Sequence, residues 1–143
     1  MRARDVAILL GLALLATRAA TSAPAWAGPA RPPNPSQPAA PGWLSFADIV
    51  ALARSAGFTA EQADKAARIA WRESRGNPKA TAIVTAPKPG NLPERSFGLW
   101  QVNALANPQF DEAQLLDPAY NAKAAFRLSK SGTDWRPWNV RTP

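Results

Sequence analysis

Hydrophobic and polar positions divide the chain into three stretches. Residues 6–16 are apolar without a break, proline dominates residues 28–41, and from Gly42 onward the pattern becomes helical. Ser45 followed by Asp48 resembles a capping box, with Phe46, Ile49, Val50 and Leu52 forming an apolar face and Gly57 offering a stop. Thr59 with Gln62 marks a second helix start. That helix runs through Ala63, Ala66, Ala67, Ala70 and Trp71 and is expected to stop near Gly76, Asn77 and Pro78. Pro78, Pro87, Pro89, Pro93 and Gly90 then preclude a long helix, and the β-prone residues 81–85 predict a short strand or irregular hairpin. Asp117 before Pro118 reads as an N-cap with proline at the first helical position. The helix it opens, carrying Tyr120, Ala124, Ala125 and Leu128, is expected to run to Gly132. No internal repeat is visible. The predicted fold class is mainly α: a helical domain with a short irregular β/loop region.

The first stretch has the form of an export signal. Arg2 and Arg4 precede it, Asp5 partly offsetting them, and its 11 residues fall short of the ~20 a membrane-spanning helix needs. A small-residue pattern, Ala25-Trp26-Ala27, places the cut before Gly28, with earlier cuts after Ala19 or Ala20 as alternatives. No cysteine follows, so no lipid anchor on an N-terminal cysteine and no stable membrane anchor after cleavage are expected. Seven of the 15 prolines lie between Pro24 and Pro41, a composition that favours an extended spacer over helix or strand. The expected organisation is a signal over residues 1–27, a Pro-rich linker over 28–42 and one domain over 43–143. Localisation is then exported, periplasmic or secreted.

Composition narrows the chemistry. The 143 residues contain no cysteine and no histidine, which excludes a disulfide framework, a cysteine nucleophile and any His-based triad or His/Cys metal site. Carboxylates are spread along the chain without ligand spacing, so neither metal nor cofactor is expected. Removing residues 1–27 takes away three arginines and one aspartate and lowers the formal charge from +7 to +5. A basic exported domain suits an anionic partner. The cations are scattered rather than clustered, which argues against nucleic acid.

One constellation carries chemistry. Glu73 lies near the end of its helix, in Ala-Trp-Arg-Glu-Ser-Arg-Gly-Asn-Pro. The helix C-terminus and burial beside an aromatic ring both disfavour a carboxylate there, and a carboxyl kept protonated can act as a general acid. Arg72 and Arg75 oppose this if they pair with it. The plain alternative is a surface glutamate between two arginines.

Glu73-Ser74, Asn77-Pro78, the run from Ser96 through Phe97, Gly98, Leu99, Trp100, Gln101 and Val102 to Asn103, and Leu116-Asp117-Pro118 with Asn121 follow in that order. The order and spacing resemble the lysozyme-like superfamily, and within it the lytic transglycosylase (SLT-type) domains. The likeness covers about residues 43–138. The resemblance implies an α+β lysozyme-like fold with a substrate cleft, and cleavage of the β-1,4 bond between N-acetylmuramic acid and N-acetylglucosamine in peptidoglycan. By this likeness Glu73 is the catalytic acid and Gln101 bonds the muramyl residue. Gly98 lets the backbone approach the sugar. Ser74, Ser96, Leu99 and Asn103 complete the expected substrate-binding set, although Asn103 and Asn121 read better as loop and helix-start supports. Trp100 either offers its ring face to a pyranose or belongs to the core. The expected partner is a peptidoglycan glycan strand. The tail from Gly132 through Trp135 to Trp138 is similar to the endings of phage-tail and secretion-associated members, which suits an accessory enzyme of a secretion, conjugation or appendage system and a secretion-apparatus protein as partner.

The mechanism turns on a second carboxylate. In animal lysozymes the matching segment reads Asp-Tyr-Gly-Ile/Leu-x-Gln-Ile-Asn, and Ser96 stands here where that Asp does. A hydroxyl cannot supply the charge that a two-carboxylate mechanism needs. The loss favours the lyase route, in which the substrate's 2-acetamido group assists and a 1,6-anhydromuramyl end forms. Glu94, two residues earlier and on the same face of an extended strand, keeps a muramidase (hydrolase) alternative open. A non-catalytic peptidoglycan-binding module is the other alternative. Ala119-Tyr120-Asn121-Ala122 looks like the later tyrosine motif of classical members, but Asp117-Pro118 marks it as the earlier helix start, so that role is not carried over to Tyr120. Trp135 or Trp138 would have to fill the space.

Overall fold

The computed structural model describes residues 39–86, 89 and 92–138. The expected export signal, and the linker up to residue 38, lie outside the described residues.

Local chemistry sets the helix starts. Helix α1 (Phe46–Ala56) opens with the capping box at Ser45, whose Oγ accepts from Asp48 N at 3.1 Å while Asp48 accepts from Ser45 N at 3.0 Å. Helix α2 (Ala60–Ser74) opens the same way with Thr59 and Gln62. Helix α3 (Pro118–Leu128) begins at Asp117, whose carboxylate accepts from Tyr120 N at 2.8 Å. These caps satisfy amides that a helix leaves without partners at its N-terminus.

Between α2 and α3 lies a small antiparallel sheet: β1 (Thr81–Val84), β2 (Glu94–Phe97) and β3 (Val102–Asn103). Ser96 is paired with Ala82 on one side and Asn103 on the other. The β-prone residues 81–85 thus form the first arm of a hairpin, and β3 is a strand that the sequence pattern did not announce. The fold class is mainly α with a small sheet, as the pattern of positions implied.

One expected boundary moves. Helix α3 ends at Leu128, four residues before Gly132. Ser129 ends it, because its Oγ accepts from Gly132 N at 3.0 Å and its carbonyl accepts from Thr133 and Asp134 N. Lys130, Ser131 and Gly132 all have positive φ (49°, 59° and 79°). Gln62 Nε2 holds this turn through the Ser131 carbonyl at 3.2 Å.

The core forms where small residues meet large ones. Ala63, Ala66, Ala67 and Ala70 share one face of α2 and are fully buried. This flat face admits Trp100, whose ring is fully buried and whose Nε1 donates to Ala66 O at 2.9 Å. Phe58 stacks on Trp135, with ring centroids 5.6 Å apart, and meets Phe126 edge-on at 4.9 Å. A 3-10 turn (Arg136–Trp138) closes the domain, and Trp138 Nε1 donates to Trp100 O at 2.7 Å.

Candidate active site

The last turn of α2 carries Glu73. Its side chain is only 8% exposed, so the surface reading is set aside. Arg72 pairs with it: Nη2 lies 2.9 Å and Nε 3.2 Å from Oε1. The same Nη2 donates to the Trp138 carbonyl at 2.7 Å. Ser74 turns inward, its Oγ donating to Ala70 O at 2.9 Å and accepting from Gly76 N at 3.3 Å. Its hydroxyl therefore serves the helix end, which Arg75 completes in a left-handed conformation.

Ala80 joins this helix end to the segment from Gly98 to Gln101. Its carbonyl accepts from Gly98 N at 2.8 Å and from Gln101 Nε2 at 3.0 Å. The two sequence motifs, far apart along the chain, are thus stitched together seven residues after Glu73. Gln101 Nε2 also donates to Gly98 O at 2.9 Å. Both donor hydrogens of the carboxamide serve the protein's own backbone, so what Gln101 has to offer a ligand is the acceptor Oε1.

Several expected substrate contacts are corrected here. Trp100 is fully buried against α2, so its ring belongs to the core and presents no face to a sugar. Leu99 is equally buried. Gly98, at φ +76°, has its missing side chain directed at the protein interior: a Cβ would lie 2.3 Å from Leu115 O and 2.5 Å from Asn121 Nδ2. Glycine is required there because Asn121 and the Leu115 carbonyl press on the turn. Asn103 accepts from Leu105 N at 3.0 Å and Ala106 N at 3.4 Å, a turn-forming role. Trp135 and Trp138 are also core residues.

Asn121 supports the site from behind. Fully buried, it accepts from Trp100 N at 2.9 Å and donates to Phe97 O at 3.0 Å and Leu115 O at 2.9 Å. Its carboxamide fixes the turn that presents Gln101, the support role read from its position in the sequence.

On β2 the buried Ser96 donates its hydroxyl to Glu94 Oε1 at 2.7 Å. The i,i+2 spacing does bring these side chains together. Arg95 turns the other way and pairs with Glu112, holding that carboxyl below the usual carboxylate range through a direct hydrogen bond.

The feature missed in the sequence is the link from Arg72 to Trp138, 66 positions apart; the position of Arg72 beside Glu73 was the only available signal. Among the described residues no group of three His, Cys, Asp or Glu could hold a metal. No helix among them is long and apolar enough to cross a membrane.

A search of the curated proteins and one of the solved structures gave no match to the chain. A family model described as a lysozyme-like domain matches residues 50–140, from within α1 past the closing 3-10 turn. That match takes in Glu73, the Gly98–Gln101 turn and the Asp117 helix start, and it spans well over half of the sequence, so the chain belongs to the lysozyme-like domain family, whose function is peptidoglycan-acting and extracytoplasmic.

Proposed function

We propose that the protein is an exported peptidoglycan lytic transglycosylase with Glu73 as its single acid and base. The observation that carries this reading is the enclosed carboxyl of Glu73 at the end of α2, held by Arg72 and seven residues before the Ala80 carbonyl that anchors Gln101. Glu73 gives its proton to the glycosidic oxygen as the bond to C1 of N-acetylmuramic acid breaks. The carbonyl oxygen of the 2-acetamido group closes on C1 and takes up the developing charge. The Glu73 carboxylate then removes the C6 hydroxyl proton, and O6 displaces the acetamido oxygen from C1. The proton returns to Glu73, no water is consumed, and a 1,6-anhydromuramyl end results. Gln101 contributes an acceptor, through Oε1, for an N–H or O–H of the muramyl residue.

Export through residues 1–27, a spacer over 28–42 and service to a secretion, conjugation or appendage system belong to the same proposal. The basic surplus of the exported part suits the anionic wall. Replacing Glu73 by Gln keeps the shape but removes the proton. The expected result is loss of muropeptide release from purified peptidoglycan with an unchanged circular dichroism spectrum. Release at the wild-type rate refutes the assignment.

One contact favours a second reading. The Ser96 hydroxyl holds a Glu94 carboxylate oxygen at 2.7 Å, beside the position where animal lysozymes carry their second carboxylate. If Glu94 serves in that role the enzyme is a muramidase. Glu94→Gln then abolishes release, whereas the lyase reading keeps most of it.

A further inference from the structure

We infer that Arg72 is a positioning residue for the Glu73 carboxyl, and that through it the C-terminal turn holds that carboxyl in place. The inference rests on the reading of Glu73 as the acid. Neighbouring residues on a helix do not face one another, so the pair needs something to turn Arg72 toward Glu73. That anchor is the Trp138 carbonyl, which accepts from Arg72 Nη2 at 2.7 Å. Trp138 is fixed in turn, its ring buried and its Nε1 bound to Trp100 O at 2.7 Å. The guanidinium spans from this rigid backbone to the carboxyl by its planar fork, a geometry that the single point of a lysine ammonium does not reproduce.

The fork also distinguishes the two carboxyl oxygens. Both contacts, at 2.9 Å and 3.2 Å, fall on Oε1. Two donors of one guanidinium on the same carboxyl oxygen restrain rotation of the carboxyl.

The test compares wild type, Arg72→Met and Arg72→Lys in the full-length protein, with kcat and KM measured on soluble uncrosslinked glycan strands and melting temperature as the folding check. Misplacement of a reacting group by about 1 Å costs on the order of 100-fold in rate. Arg72→Met is expected to lower kcat by roughly 10- to 100-fold while KM stays within about threefold. Arg72→Lys, with the charge kept and the fork lost, is expected to fold as wild type and to recover only part of kcat. Arg72→Met matching wild type in kcat, or Arg72→Lys restoring it fully, overturns the inference and leaves the acid role of Glu73 standing. Wild-type protein that releases no product refutes the enzyme reading, and this inference with it.

Discussion

Replacing Asn121 by alanine removes the best-defined polar support of the site. The side chain is fully buried, and its three hydrogen bonds, between 2.9 and 3.0 Å, tie α3 to β2, to the Trp100 amide and to the Leu115 carbonyl. Truncation leaves one N–H and two carbonyl groups short of a partner in a region closed to water. A buried polar group without a partner costs about 1–3 kcal/mol. Carbonyls, with two lone pairs, tolerate the loss better than an N–H, so a total of about 3–5 kcal/mol is expected. That is a large share of the ~5–15 kcal/mol that stabilises a typical domain. In urea, with a slope of about 1.5 kcal/mol per molar, the unfolding midpoint should fall by roughly 2–3 M at unchanged slope. Asn103→Ala serves as the control. Its two acceptor bonds lie in a half-exposed turn where water can replace them, and the expected cost is about 1 kcal/mol or less. An Asn121→Ala protein within about 1 kcal/mol of wild type, or one no worse than Asn103→Ala, refutes the reasoning.

Gly98→Ala should destabilise by at least about 3 kcal/mol, combining a left-handed backbone with overlap against a fixed carbonyl. Combined with Asn121→Ala it should cost less than the two changes added together, because both disturb one contact; additive melting shifts would contradict this. Asp134 is held well below the usual carboxylate range, chiefly by its side-chain hydrogen bond from Arg136 and also by the Arg136 amide. A lowered carboxyl contributes stability above its unfolded value of about 3.9 and loses it as the pH falls from there toward the folded value. Asp134→Asn should therefore melt below wild type at neutral pH, and the gap should narrow as the pH drops below about 4. A gap that stays constant or widens in acid contradicts the assignment.

Features set by neighbouring residues were legible in the sequence. The Ser45/Asp48 and Thr59/Gln62 boxes and the Asp117-Pro118 start lie where their spacing put them, since a cap involves groups three residues apart. The end of α3 was not legible, because it depends on Ser129 and on Gln62 reaching across from α2. Burial separated Trp100 from the sugar-binding reading: an aromatic beside Gly98 suits either role until the alanine face of α2 is seen to receive it. Glycine at position 98 was expected for close approach of a ligand, whereas the group that approaches is Asn121. The hold of Trp138 on Arg72 joins residues 66 positions apart, and the place of Arg72 beside Glu73 does not by itself disclose it.

The central claim is a lyase that works with one carboxyl, and the products decide it. Mass spectrometry of muropeptides released by the wild-type protein is predicted to show 1,6-anhydromuramyl ends, with none released by Glu73→Gln. Products heavier by one water, with ordinary reducing ends, contradict the lyase and point to Glu94 and hydrolysis; the same products from Glu73→Gln at the wild-type rate contradict the account at its root.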